Sequence, residues 1–493
     1  MTLAELPAAR ERPFWRLVEQ RADATPDHPM CVDEDGRAMT FGQYRDTAER
    51  VAAGLADRGI GPGSVVTWQL PSCIEAVVLI AALARLGAVQ NPVIPILRQR
   101  EVQFIATELG TDLLVVPGVW RGFDYPAMAR DIAATVGCDV FVSEVPAGSA
   151  ADVALPLGDP ATLPAFVDNT ERPLRWVYYT SGTTADPKGV RHTDRSIVST
   201  SVHLLAGLQM DRDDVTVMVS PITHIGGVMT VVAQLLDMFK VVLMRAFDER
   251  RTPELCAEHD LTVLRSPVPV VRAFVTAQLA HGPEPLFPRL RACQAGGAAR
   301  PLDLHIQVQK VFGLRGTISS YGMTECPGVT ACAPDDTDEH LSETSGRIVP
   351  DSDIAVIGAD GERCGPGVEG ELRVRGPQLF TSYVDDALNA GAIDEHGYFR
   401  SGDLGTIDED GYVRVTGRLK DIIIRNGENI SALEIENVLG THDAIADIAV
   451  IGVPDERTGE RCCAVVQLVD GAGPIGLREL AELCEQHGLA KQK

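Results

Sequence analysis

Apolar residues in this chain recur at two spacings. Tyr44, Ala48, Val51, Ala52 and Leu55 fall three or four apart, which predicts a helix. Thr40 and Gln43 ahead of it form a capping-box pair, and Gly59 and Gly61 stop it. The apolar run 65–70 predicts a buried strand, and 74–86 a strongly apolar helix closed by Gly87. Runs at 113–116 and 140–142 are two more strands. The alternation resumes at 215–219 (strand), 228–238 (helix) and 241–244 (strand), with strands at 261–265 and 291–294. Strands alternating with helices predict βαβ units and a mostly parallel sheet.

The texture changes after residue 353. Short strands at 354–357, 371–375 and 412–415, separated by Gly/Asp turns, predict a smaller β-rich subdomain. Gly417-Arg418-Leu419-Lys420-Asp421 reads as a boundary. Beyond it, 431–439 (helix), 446–453 (strand), 464–469 (strand) and 477–487 (helix) form a small α+β unit. The Ala-, Pro- and Gly-rich stretch 146–165 predicts an irregular surface connection. The fold class is therefore α/β, with stacked mixed βα sheets in a large first domain (1–417), a hinge (418–420) and a small α+β domain (421–493).

Composition narrows the function. The chain of 493 residues has 45% hydrophobic residues, enough for a large core, and a net charge of −25 from 44 basic and 69 acidic residues. Nucleic acid requires a basic footprint, so that partner is excluded, as is adhesion to an anionic membrane. The 11 cysteines contain no C-x-x-C pair and no zinc spacing, which predicts reduced core thiols in a cytoplasmic protein. Residues 1–12 lack an apolar signal region, and the most apolar run, 76–89, is interrupted by Arg85 and is too short for a bilayer span.

The candidate chemistry lies at 178–190, Tyr-Tyr-Thr-Ser-Gly-Thr-Thr-Ala-Asp-Pro-Lys-Gly-Val. A strand at 174–179 leads into four hydroxyl residues (Thr180, Ser181, Thr183, Thr184), two glycines (Gly182, Gly189) and Lys188. Glycines let backbone N–H groups approach phosphate oxygens, hydroxyls add donors, and the lysine supplies charge. The common pattern G-x-x-x-x-G-K-[ST] does not fit, because Pro187 precedes the lysine and Gly189 follows it.

This loop resembles that of the adenylate-forming superfamily, which comprises acyl-CoA synthetases, peptide-synthetase adenylation domains and luciferases. Ala185 stands where the family loop has Gly, a change that removes no phosphate donor. Further motifs follow in the family's order. Tyr321-Gly322-Met323-Thr324-Glu325 matches an aromatic-Gly-x-Thr-Glu motif. The resemblance implies that Tyr321 lies against adenine, Thr324 contacts the α-phosphate, and Glu325 holds Mg2+ with Thr183 as a second oxygen. Gly296-Gly297-Ala298 matches a segment passing along the adenine and the acyl group. Ser401-Gly402-Asp403 matches a motif whose aspartate accepts both ribose hydroxyls, and Arg418 is implied as a second nucleotide contact. Lys420 falls at the hinge position, and 424–430, with Gly427, resembles a segment lining a pantetheine tunnel. Pro221-Ile222-Thr223-His224-Ile225-Gly226-Gly227 matches the border of the acyl pocket, with His224 gating or lining it. Together these motifs span about half of the chain.

The implied reaction uses ATP, Mg2+ and coenzyme A. A carboxylate displaces pyrophosphate from ATP, then a thiol displaces AMP. Lys188, Thr183 and Glu325 serve the phosphates, and Asp403 and Arg418 hold the nucleoside. The family's catalytic lysine lies in a Gly-Lys segment near its C-terminus, and 488–493 match only the stretch before it, so the last domain is expected to be incomplete. Amino-acid-activating relatives need an acidic side chain at the pocket entrance, and 223–227 have none, which favours a CoA ligase. An aryl-acid adenylating domain, a luciferase-like oxygenase and a non-catalytic nucleotide-binding homologue are the other readings. Segments 91–95 and 121–125 resemble medium-chain and alicyclic carboxylate–CoA ligases, and Gly226, Gly227 and Gly297 suggest room near the carboxylate. The implied partners are a small carboxylic acid and CoA, and a homodimer is compatible with the family.

Overall fold

The computed structural model describes residues 6–144, 152–168, 174–180, 187–296, 302–425, 428–455 and 459–487. The capping box at Thr40 is formed: Gln43 N donates to Thr40 Oγ1 and Thr40 N donates to the Gln43 side chain, starting helix Phe41–Ala56. Helix Ile74–Leu86 has the predicted bounds, and Gly87 closes it in the left-handed conformation. Every residue of this helix is buried, which explains its unbroken apolar sequence.

Two large sheets enclose that helix layer. One has seven strands in the order Ser382–Tyr383, Lys188–Thr193, Leu174–Thr180, Val89–Pro92, Val65–Trp68, Leu113–Pro117 and Asp139–Ser143. The other has six, Ala292–Gly296, Val263–Pro267, Val215–Met218, Lys240–Leu243, Pro29–Asp33 and Ala38–Thr40. Most neighbours are parallel, as the alternating pattern predicts, with antiparallel pairs at the edges. One core cluster joins the two sheets through helices Phe41–Ala56, Ile74–Leu86, Asp194–Leu208 and Ile225–Asp237.

Buried charge ties the layers together. Arg37 donates from Nη1 and Nη2 to the two carboxylate oxygens of Glu75 (2.8 and 3.1 Å) and from Nε to Asp33 (2.7 Å). All three side chains are at most 4% exposed, so the strand Pro29–Asp33 and helix Ile74–Leu86 are held by a dry network.

The β-rich subdomain is a four-stranded antiparallel sheet of Asp353–Ile357, Gly370–Arg375, Phe399–Ile407 and Val413–Arg418. The strand Phe399–Ile407, which carries Gly402 and Gly405, lies between the expected strands 371–375 and 412–415 in the chain. After it comes a second antiparallel sheet with the order Glu428–Ser431, Ile422–Arg425, Gly459–Leu468 and Ile445–Asp455, and with helices Ala432–Leu439 and Leu477–Gln486.

Two expectations change in the structure. Stretch 146–165 is irregular where described, but Val153 and Leu155 are buried in the main core and Ala154 O accepts from Ser143 Oγ, so part of it is laid into the core rather than over the surface. Lys188 belongs to a strand, not to a loop: Lys188–Thr193 pairs antiparallel with Leu174–Thr180, and Lys188 stands directly opposite Thr180. Among the described residues, no helix is long and apolar enough to cross a membrane. Cys31 and Cys293 are buried, and burial pushes their thiols up to about 12, far from nucleophilic use.

Candidate functional site

A cavity of about 1150 Å3 opens between the large sheets and the antiparallel subdomain. Thr180, Lys188, His224, Gly296, Tyr321, Gly322, Thr324, Glu325, Asp403, Arg418 and Lys420 all line it, although they are spread over about half of the chain. The expected site residues Ser181, Gly182, Thr183, Thr184, Gly297, Ala298 and Gly427 lie outside the described residues.

At one end stands an anchored carboxylate. Asp403 and Arg418 face each other in register on neighbouring antiparallel strands, and Arg418 Nε donates to Asp403 Oδ1 at 2.7 Å. Tyr321 Oη donates to Asp403 Oδ2, also at 2.7 Å. The Asp403 side chain is 4% exposed and that of Arg418 53%. Burial, with the neighbouring Asp403 charge, pushes the Tyr321 hydroxyl up, so it stays a donor. The carboxylate is thereby held in place on the cavity wall, where its remaining acceptor capacity suits a diol.

Next along the wall is the Thr324–Glu325 pair. Tyr383 Oη donates to Glu325 Oε1 at 2.8 Å, and Phe380 N donates to the Glu325 carbonyl. Burial and the Glu325 charge push the Tyr383 hydroxyl up. Glu325 Oε2 has no partner among the described residues. The Thr324 carbonyl is gripped by His192 Nε2 at 2.7 Å, with Ser196 Oγ on Nδ1 at 3.0 Å. That pattern places the proton on Nε2, since a carbonyl can only accept. Burial lowers the His192 pKa to about 4, so the ring is neutral.

Among the described residues no cluster of three His, Cys, Asp or Glu could hold a metal by itself. The Glu325 carboxylate on the cavity wall, with Oε1 held by Tyr383, nevertheless fits Mg2+, which is commonly held by one or two carboxylates together with substrate phosphates.

The far end is formed by the start of helix Ile225–Asp237. His224 caps it, with Gly226 N donating to Nδ1 at 3.2 Å. Its ring is open to the cavity and enclosed by protein elsewhere; that burial, then the nearby Arg265 guanidinium, lowers its pKa. A Cβ at Gly227 would strike the Ile222 backbone at 2.5 Å, so this glycine serves tight packing rather than cavity space, contrary to expectation. Helix Ile225–Asp237 starts three residues before the predicted 228 because this cap extends it.

Lys420 sits on the short turn Leu419–Asp421 at the cavity mouth and is exposed. Three residues of the site escaped sequence reading: His192, Tyr383 and Arg265. Each works through a partner distant in the chain, 58 residues for Tyr383 and 132 for His192, and carries no local signature.

Residues 18–384 match the AMP-binding enzyme family, and 434–490 match the AMP-binding enzyme C-terminal domain. The chain is 30% identical over 489 residues to a medium-chain fatty-acid–CoA ligase of Escherichia coli, covering 97% of this chain and 85% of that protein. It is 30% identical over 460 residues to a sulfoacetate–CoA ligase of Cupriavidus necator, covering 92% and 88%. Among solved structures it resembles o-succinylbenzoate CoA synthetase from Bacillus subtilis in complex with an acyl-adenylate intermediate, with TM-score 0.83, 26% identity, and 98% and 93% of the two chains covered. This chain belongs to the AMP-binding enzyme family.

Proposed function

We propose that this enzyme is an ATP-dependent carboxylate–CoA ligase acting on an acid of medium-chain or alicyclic size. The observation that carries the reading is the single cavity shared by the Asp403–Arg418–Tyr321 cradle, Lys188, Glu325 and the His224 wall. Its volume exceeds the range of about 300–1,000 Å3 usual for one small ligand, which supports a nucleotide and an acid side by side.

In the proposed first step a substrate carboxylate oxygen attacks the α-phosphorus of ATP. The new C(O)–O–P bond forms as the bond to pyrophosphate breaks. Both reactants are anions, so the barrier is mainly repulsion and misorientation. Asp403 accepts the ribose hydroxyls and Tyr321 flanks the base. Lys188 draws the phosphates toward the strand pair. Thr324, whose backbone His192 holds, meets the α-phosphate, and Glu325 is the metal-facing carboxylate. Mg2+, when bound with ATP, neutralises part of the polyphosphate charge. In the second step the CoA thiolate attacks the acyl carbon, the C–S bond forms, and AMP leaves with the C–O electrons. We assign Thr180, Gly296 and Gly322 to the same nucleotide surface, and residues 181–184 to phosphate binding from their sequence. We divide the chain into 1–417, a hinge at 418–420 that includes Lys420, and 421–493.

Pyrophosphate release and thioester formation, measured on a panel of acids with ATP, Mg2+ and CoA, test this reading. Medium-chain and alicyclic acids are expected to exceed acetate and long-chain fatty acids. Acetate as the best substrate would refute the size assignment, and pyrophosphate release without thioester would refute the CoA step.

A further inference from the structure

The far wall of the cavity contains a positive charge that the reaction outlined above does not use. Arg265, on strand Val263–Pro267, lines the cavity beside His224 and Gly226. Its Nε donates to Gln294 Oε1 at 3.0 Å, and its Nη1 donates to Thr230 Oγ1 at 3.1 Å, with the Gly226 carbonyl 3.5 Å away. All of these acceptors are neutral. No carboxylate pairs with Arg265 among the described residues, and its Nη2 has no partner there. Arg37, Arg373 and Arg10 are instead paired with carboxylates, Arg37 with Asp33 and Glu75, Arg373 with Glu371 and Asp394, Arg10 with Asp351, and buried Arg21 donates to the Leu235 and Leu236 carbonyls, away from the cavity. Burial alone lowers the Arg265 pKa, to about 10, so the group is charged at neutral pH. A half-buried guanidinium that faces a cavity and pairs only with neutral groups leaves its charge to be met by an anionic ligand.

The surroundings keep the front of this group open. A Cβ at Gly226 would stand 3.4 Å from Arg265 Nη2 and 3.4 Å from His224 Nδ1, so glycine leaves the approach to Nη2 clear. Gly226 N occupies His224 Nδ1, which leaves the proton on Nε2 as a second donor on the same wall. A planar fork with a neighbouring N–H matches the two oxygens of a carboxylate.

We infer that Arg265 determines specificity at the distal end of the acid, and that the preferred substrate is a dicarboxylic acid whose second carboxylate pairs with Arg265. This inference rests on the carboxylate–CoA ligase reading. The reacting carboxylate meets ATP near Thr324 and Lys188, and the other end of the molecule reaches the wall formed by Arg265, Gln294 and Thr230.

The test compares length-matched pairs on the full chain with ATP, Mg2+ and CoA: hexanoate against hexanedioate, and cyclohexanecarboxylate against cyclohexane-1,4-dicarboxylate. The diacid of the best-fitting pair is expected to have the higher kcat/KM, by about tenfold or more, the scale of one charge-assisted contact. Arg265→Met is expected to collapse that ratio through the KM for the diacid, and Arg265→Lys to retain part of it. Gly226→Ala, which leaves the arginine in place and crowds Nη2, provides a second route should Arg265→Met fold poorly; it too is expected to penalise the diacid selectively. Equal loss for both acids in Arg265→Met, or a rise in the KM for ATP, would place Arg265 on the reacting carboxylate or the phosphates and overturn the inference. A wild-type preference for the monoacid in every pair would do the same. If no acid releases pyrophosphate, the ligase reading itself fails. The thermal shift of wild type against Arg265→Met with hexanedioate and ATP then decides separately: equal shifts overturn the role of Arg265.

Discussion

Replacing Asp403 by Asn tests the nucleotide cradle most directly. The carboxylate accepts from Tyr321 Oη and from Arg418 Nε, each at 2.7 Å, and is 4% exposed. An amide offers one oxygen and one NH2 group. With the NH2 toward Arg418 two donors meet; with the NH2 toward Tyr321 the hydroxyl must turn to accept, and Arg418 faces a neutral oxygen in place of an anion. The ribose hydroxyls also lose an anionic acceptor. Hydrogen bonds to a charged group contribute roughly 1.5–3 kcal/mol, which corresponds to a rise of roughly 10- to 150-fold in the KM for ATP. The KM values for the acid and CoA should move far less. Tyr321→Phe removes one donor but leaves the anion, so its effect on ATP should be smaller. The assay is initial-rate pyrophosphate release across ATP concentrations, with thermal melting to confirm folding. An ATP KM within about threefold of wild type in a folded Asp403→Asn protein lies below the weakest charge-assisted hydrogen bond and would refute the ribose assignment.

Three further outcomes follow from the geometry. Tyr383→Phe leaves Glu325 without its donor and should raise the Mg2+ concentration needed for half-maximal rate by roughly tenfold, the lower bound for a hydrogen bond to a charged group; an unchanged Mg2+ titration would remove Tyr383 from the site. Arg37→Met strands the Asp33 and Glu75 carboxylates in the core and should cost roughly 3–5 kcal/mol of stability by urea denaturation, whereas a neutral result would mean that the network relaxes or takes up protons. His192 is neutral when folded, with its pKa lowered from 6.5 to about 4, so below pH 6.5 the unfolded chain binds a proton that the folded chain refuses. Stability should therefore rise with pH between about 4 and 6.5, by at most about 3 kcal/mol from this group, and His192→Gln should flatten that slope; an unchanged slope would assign it to other groups such as His203.

The sequence by itself determined the layers and the order of the motifs. Period-three-to-four and continuous apolar runs report one element's own burial, so helices such as Ile74–Leu86 and the alternating strands were legible. Thr180–Gly189, Tyr321–Glu325 and Ser401–Asp403 were legible because each is a short contiguous run of fixed residue types. Tertiary structure decided what those residues lean on. Lys188 is placed by strand pairing with Thr180, and Asp403 is oriented by Arg418 across the antiparallel register and by Tyr321, 82 residues away. Tyr383, His192 and Arg265 show no pattern along the chain. A hydrogen bond or an unpaired charge depends on which distant side chains the fold brings within about 3 Å, and local periodicity carries no information about that.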